Sequence, residues 1–213
     1  MIGSERIAYA LPDERERLRR RARLLAYTGN VWHLVEFAVA VAAGIAAGSI
    51  ALVGFGVDSL IELLAGSVVV WLFSGGRRTS PTAERRAQLM IGVSFFLLAA
   101  YVGVESVRTL GGSSHPETSW PGIALALVTA PTMPLLARAK RRVGRSLDST
   151  AAVSEAGQNM LCAYLSVALL VGLGANAVAG WWWADPAAAL VIAAIAFKEG
   201  RESWRGEGCC DTC

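Results

Sequence analysis

Residues 50–73 read IALVGFGVDSLIELLAGSVVVWLF, an apolar run interrupted by only two charged side chains, Asp58 and Glu62. An α-helix rises ~1.5 Å per residue, so about 20 apolar residues cross the ~30 Å hydrocarbon core of a bilayer. This run is long enough to cross that core once. It therefore predicts a transmembrane helix that carries two carboxylates inside the membrane.

The rest of the chain repeats this pattern of apolar runs separated by short charged segments. Hydrophobic residues make up 54% of the sequence, and a soluble domain has no reason to group them in runs of this length. Six spans are predicted, at 25–47, 50–73, 87–109, 120–137, 150–178 and 184–197. We expect an all-α membrane bundle of six helices, in which 1–24 is a basic cytosolic segment, 25–198 the transmembrane domain and 199–213 a short cytosolic tail.

The basic residues fall on alternate sides of these spans. They cluster in the N-terminal segment, after span two, after span four and in the tail, and only Arg108 lies elsewhere. Because positively charged loops resist translocation, we expect both termini on the cytoplasmic side of the cell membrane. Glu105 and Arg108 predict a local ion pair at the outer end of span three.

Spans two and five each carry polar groups on one helix face. Asp58 and Glu62 lie four residues apart, and Glu155, Gln158 and Cys162 follow at spacings of three and four. The rise per residue places Asp58 level with Cys162, and Glu62 level with Gln158, if the two helices are neighbours. Carboxylate, amide and thiolate ligands suit a divalent cation, and the sulfur favours zinc or a softer metal. Alternatively, the carboxyl groups are protonated and hydrogen-bonded, and Cys162 only fills space.

Further polar residues are secondary candidates. Span one carries Asn30, His33 and Glu36 on one face, and Asn159 lies beside Gln158 on span five. They predict a second ligand set or a proton relay or, for His33, a hydrogen bond between helices. The tail presents three thiols that suit a soft metal, at Cys209, Cys210 and Cys213.

These residues resemble the cation diffusion facilitators, a family of six-helix metal exporters. The run from Gly48 to Glu62 is similar to the family's second-helix motif, in which Asp or His, and then Asp four residues later, bind the metal. Three other parts look like the family's third-helix end, its approach to the fifth helix and its sixth helix: 105–110, 141–155 and 183–200. The resemblance implies that Asp58 and Glu62 are metal ligands. It places Gln158 and Cys162 where the family usually has His or Asp and then Asp, with Glu155 one turn earlier.

The residues after span six do not resemble the family's cytoplasmic ferredoxin-like domain, so we expect the helices to form any dimer. We therefore expect a homodimer that exports a divalent metal, zinc in the first place, in exchange for protons, because such ligands lose protons when they bind metal. The alternatives are a membrane protein that senses metal or regulates a partner without transporting, and an exporter of lipophilic cations. No residues indicate an enzyme, a prosthetic group or a nucleic-acid partner.

Overall fold

The computed structural model describes residues 12–73, 81–112, 116–147 and 149–205. These residues form helices and no strand, so the predicted all-α class is confirmed. The six helices are α1 (Pro12–Ala47), α2 (Ile50–Phe73), α3 (Pro81–Gly111), α4 (Trp120–Ser146), α5 (Thr150–Ala179) and α6 (Ala184–Arg205).

The fold is that of a multi-pass membrane bundle. Four of the described helices are long and apolar enough to cross a bilayer: Glu14–Ala47, Ile50–Trp71, Trp120–Ser146 and Glu155–Ala179. The other two, α3 and α6, pack against each other and against α2. Large apolar side chains face outward, with Ile45 72%, Leu97 67% and Val171 66% exposed. A water-soluble bundle would bury such residues, whereas a bilayer solvates them.

Four helices extend clearly beyond the predicted spans, and one of them is α3, which begins at Pro81 rather than at residue 87. α1 begins at Pro12, so the described part of the predicted basic segment 1–24 is helical and continuous with span one. α4 runs on to Ser146 and α6 to Arg205. Lys140, which the charge pattern placed in a cytosolic loop, is therefore a residue of α4, and it is buried.

The helix α2 lies at the centre of the bundle. It contacts α1, α3, α5 and α6, and the remaining close pairs are α4 with α5, α3 with α6, α1 with α4 and α5 with α6. Glu62 of α2 lies beside Cys162 of α5. One turn further along α2, Gly66 lies beside Glu155, which is about two turns before Cys162 in α5. The two helices are thus antiparallel neighbours, as the depth estimate required, but the ligand atoms pair Cys162 with Glu62 and not with Asp58, which the estimate had placed level with it.

Small residues allow α1 and α2 to approach each other closely. A Cβ atom at Gly44 would lie 2.9 Å from the backbone nitrogen of Val53, and one at Gly56 would lie 3.1 Å from that of Val41. Gly48, in the turn between the helices, has a φ of +65°, which favours glycine. These contacts hold the C-terminal part of α1 against the N-terminal part of α2.

The N-terminus of α6 is joined to the N-terminus of α2 by a buried carboxylate. Ser49 donates a 2.5 Å hydrogen bond to Asp185, and the backbone N–H of Ala51 lies 3.4 Å from the second carboxylate oxygen. A carboxylate at a helix N-terminus satisfies N–H groups that have no partner within the helix. At the end of α3, the predicted pair of Glu105 with Arg108 is confirmed at 2.6 Å and is exposed.

Candidate metal centre

Three helices bring four ligand-type side chains together in the bundle interior. One ligand atom from each of His33, Glu36, Glu62 and Cys162 lies within 4.8 Å of the others, and all four residues are buried. These four residues are called the ligand group below. Their positions on α1, α2 and α5 mean that the group forms only when these helices pack together.

The Glu36 carboxylate is surrounded by hydrogen-bond donors. Its Oε1 atom accepts from the indole N–H of Trp32 and from the hydroxyl of Thr129, both at 2.6 Å. Its Oε2 atom lies 2.9 Å from Nδ1 of His33 and accepts from Ser59 at 3.4 Å. Donors directed at both oxygens are the surroundings of an ionised carboxylate, which can only accept.

The Glu62 carboxylate has the opposite surroundings. It is 3% exposed, and its Oε2 atom has no hydrogen-bond partner among the residues that the structure describes. Nδ1 of His33 lies 3.1 Å from that atom, but outside hydrogen-bonding geometry. A buried polar atom without a partner destabilises a fold by about 1–3 kcal/mol. Such an atom is explained when the site is built to receive a ligand.

A small cavity adjoins Glu62 on the side away from α1. Asp58, Glu62, Gln158 and Glu199 supply its polar lining, and apolar residues of α3, α5 and α6 supply the rest. The cavity therefore extends the ligand group with two further carboxylates and an amide. All of its polar residues are at most 8% exposed.

On the other side of His33 lies a buried chain of polar contacts. Nε2 of His33 is 2.8 Å from the Asn159 amide nitrogen, and Lys140 donates to the Asn159 amide oxygen at 2.8 Å. Lys140 also pairs with Glu155 at 2.5 Å, and both side chains are less than 10% exposed. The polar core of the bundle thus runs from Glu155 through His33 to the cavity at Asp58.

The donor set fits a zinc-like ion. Bond lengths of about 2.0–2.3 Å in tetrahedral zinc sites place the ligand atoms roughly 3.3–3.8 Å apart. The ligand atoms all lie within 4.8 Å of one another, so a contraction of roughly 1 Å or less would close the group around such an ion. Imidazole, carboxylate and thiolate are all zinc ligands, and the thiolate disfavours magnesium and calcium.

The structure brings most of the predicted site residues together, but in three different settings. Glu62 and Cys162 belong to the ligand group with His33 and Glu36, and Asp58 and Gln158 line the cavity. Glu155 is held by Lys140, and Asn159 links that pair to His33. Asn30 is not part of the ligand group or the cavity lining; its amide is 3.2 Å from the hydroxyl of Ser67, and its side chain and Glu155 both lie beside Gly66. The tail residues Cys209, Cys210 and Cys213 lie outside the described residues.

Two buried residues of the site could not be recognised from the charge pattern. Lys140 was counted among the basic loop residues, although it continues a stripe of buried positions on α4: Thr129, Met133, Ala137, Lys140 and Gly144. That spacing of three and four residues was the available signal. Glu199 follows the uncharged part of α6, and its place beside Asp58 depends on the rotation of that helix.

Comparison with known proteins identifies the family. A sequence model of the cation efflux transmembrane domain matches residues 31–205, which include every residue of the ligand group and of the cavity. The chain belongs to the cation efflux family. This confirms the resemblance to the cation diffusion facilitators.

Individual relatives of this cation efflux protein are distant. It is 32% identical to metal tolerance protein 6 of Oryza sativa subsp. japonica over 107 residues, which are 46% of this chain and 28% of that protein. Metal tolerance protein 5 of the same plant is 31% identical over 107 residues, 46% of this chain and 26% of that protein. Transmembrane protein 163 of Xenopus laevis is 20% identical over 191 residues, 89% of this chain and 68% of that protein. The chain thus covers only about a quarter of each metal tolerance protein.

Proposed function

We propose that this cation efflux protein moves a divalent metal cation across the membrane through the ligand group and the adjoining cavity. The observation that carries the proposal is the Glu62 carboxylate, which is buried and has an oxygen without a hydrogen-bond partner in the described part of the chain. A metal ion would supply the missing interaction. The family match and the names of the two metal tolerance proteins support the same activity.

The transported ion in this proposal is zinc or a softer divalent metal. Cys162 is fully buried in the ligand group, and its thiol lies 4.0 Å from Glu36. A sulfur ligand beside imidazole and carboxylates favours zinc and cadmium over manganese, magnesium and calcium. The cavity residues Asp58 and Gln158 would take part as the ion moves between the ligand group and the cavity.

Coupling, direction and assembly belong to the same proposal. Thiol and carboxyl groups bind metal in their deprotonated form, so metal exchange against protons follows from the ligand chemistry. Outward movement from the cytosol, a homodimer and cytoplasmic termini in the cell membrane are proposed with it. Rocking of helices around a central site is the general way in which such a site reaches both faces of a membrane.

A flux experiment on purified protein tests the proposal. The full chain is reconstituted in liposomes, and the uptake of zinc, cadmium and manganese is measured with and without a pH gradient. We expect zinc and cadmium flux that the gradient drives. Glu62→Gln should lower it at least tenfold, since it removes the charge of the unpaired carboxylate. Glu105→Gln is the matched control, because it makes the same change in an exposed pair.

Each of the other outcomes has a definite meaning. Equal flux in wild type and Glu62→Gln would refute the proposed path. Tight metal binding without any flux would favour a metal-sensing or regulatory membrane protein. Proton-driven movement of a lipophilic cation in place of metal would favour an exporter of lipophilic cations. The proposed function is transport, without an enzymatic step or a prosthetic group.

A further inference from the structure

The side chain of Lys140 is built into the bundle interior. Its ammonium group is within 2.8 Å of both the Glu155 carboxylate and the Asn159 amide oxygen. The backbone of α1 leaves room for it, because a Cβ atom at Gly29 would lie 2.6 Å from Nζ. A buried ammonium group is tolerated only where acceptors surround it. Its two acceptors therefore have defined orientations.

The orientation of the Asn159 amide follows from the chemistry of lysine. An ammonium group only donates hydrogen bonds, so the atom of Asn159 that faces Lys140 has to be the oxygen. The amide nitrogen then points to the other side, where Nε2 of His33 lies 2.8 Å away and the sulfur of Met133 lies 3.6 Å away. The amide nitrogen also only donates, so Nε2 of His33 has to accept.

The position of the imidazole proton follows in turn. A neutral imidazole carries one proton, and if Nε2 accepts, the proton is on Nδ1. Nδ1 lies 2.9 Å from Glu36 and 3.1 Å from Glu62. The proton thus points into the ligand group, toward the two carboxylates that would face the positive charge of a bound metal ion.

We propose that Lys140 and Asn159 are positioning residues that hold His33 as the Nδ1–H tautomer in the metal-free protein. This assignment concerns the empty site, and its consequence for transport rests on the proposed function. A metal bound by Nδ1 needs the lone pair of that nitrogen, and the imidazole proton then belongs on Nε2. Asn159 can accept from Nε2 only when its amide is turned, which takes its oxygen away from Lys140. Metal occupancy and the Lys140 contact therefore exclude each other.

The test is the nitrogen NMR spectrum of the imidazole. The chain has two histidines, so a His115→Gln background leaves His33 as the only signal when histidine is labelled with ¹⁵N. The full chain is studied free of metal in lipid nanodiscs. We expect the proton on Nδ1. A proton on Nε2 in this spectrum would overturn the proposal without any further variant.

Two variants show whether Lys140 and Asn159 are the cause. Asn159→Asp replaces the amide nitrogen with an acceptor, so the proton should move to Nε2. Lys140→Met frees the amide to turn, so part of the population should move to Nε2, and Lys140→Arg should restore the wild-type spectrum. Arg142→Met removes an exposed charge of the same helix and should change nothing. An Nδ1 proton in both Asn159→Asp and Lys140→Met would refute the positioning role.

The experiment separates this inference from the proposed function. A protein with the expected tautomer but no metal flux would retain the inference and lose the transport proposal. A protein that transports metal with the proton on Nε2 would retain the transport proposal and lose this inference.

Discussion

Two buried carboxylates meet at His33, and the bundle treats them in opposite ways. Glu36, on the α1 and α4 side, accepts hydrogen bonds from Trp32, Ser59 and Thr129, whereas one oxygen of Glu62, on the α2 and α5 side, has no hydrogen-bond partner among the described residues. The two groups are equally buried, at 0% and 3% exposure. Burial alone therefore does not explain the difference between them.

The difference indicates a division of roles. Donors on α1, α2 and α4 all converge on Glu36, so this carboxylate joins three helices and stabilises their packing. Glu62 faces the cavity instead and keeps an oxygen free, which destabilises the empty state but is available to a cation. Both carboxylates belong to the ligand group, but Glu36 also connects the helices through its hydrogen bonds, whereas Glu62 contributes mainly to ligand binding.

The largest effect on stability is expected from Glu36→Gln. The new amide nitrogen would face donors, so at least one indole or hydroxyl group would lose its acceptor inside the bundle. Losing hydrogen bonds to a charged group and burying an unpaired donor should lower the free energy of unfolding by about 3 kcal/mol. Thermal and denaturant unfolding in detergent measure this change.

Glu16→Gln is the matched control for that experiment. Glu16 lies on the same helix, in exposed ion pairs of 3.8 Å with Arg19 and Arg23. Exposed pairs of this kind contribute about 0.5 kcal/mol or less. Equal losses of stability in the two variants would remove the structural role assigned to Glu36.

Glu62→Gln should reverse the pattern. Replacing the partly unpaired carboxylate with a neutral amide should leave the free energy of unfolding within about 1 kcal/mol of wild type, or raise it. Cadmium affinity should nevertheless fall at least tenfold, because the variant removes a charged ligand. Calorimetric titration and unfolding of the same preparation measure both quantities. A stability loss as large as that of Glu36→Gln would abolish the contrast between the two carboxylates.

Much of the fold could be predicted because it depends on local composition. The run at 50–73 agrees with helix α2, and the apolar runs of spans one, four and five agree with helices that can cross a bilayer. The helix ends were less predictable, since a helix does not stop where the hydrocarbon layer ends. α1 and α4 continue through charged segments, which the hydropathy pattern assigned to regions outside the spans.

The site could be predicted only up to the rotation of each helix. The spacing of Asp58 and Glu62 put both on one face of α2, and the antiparallel order of α2 and α5 brought Glu62 to Cys162. Nothing in the spacing showed that Glu155 would turn toward Lys140, because this depends on how α4 packs against α5. The sequence spacing placed His33 and Glu36 on one face of span one, but their contact with α2 depends on how the helices pack.

The sulfur of Cys162 allows the ligand side of the comparison to be refined. In Cys162→Ser a hard oxygen replaces the soft thiol at almost the same size. We expect the preference for cadmium over manganese to fall about tenfold, while total manganese binding stays the same or rises. Competition between the two ions at one protein concentration measures the ratio. An unchanged ratio would mean that the thiol is not a ligand and only fills space in the core.

The smallest effect should come from Thr129→Val, on the structural side. Thr129 is fully buried, and its hydroxyl donates to Glu36 at 2.6 Å. The variant removes that donor with little change of shape, and Glu36 keeps Trp32 on the same oxygen, so the unfolding free energy should fall by only about 1 kcal/mol. Thr132→Val is the control, because its exposed hydroxyl contacts only the backbone of its own helix. If Thr129→Val weakened cadmium binding as strongly as Glu62→Gln does, the donors of Glu36 would control metal binding as much as Glu62 does, and the division of roles between the two carboxylates would be wrong.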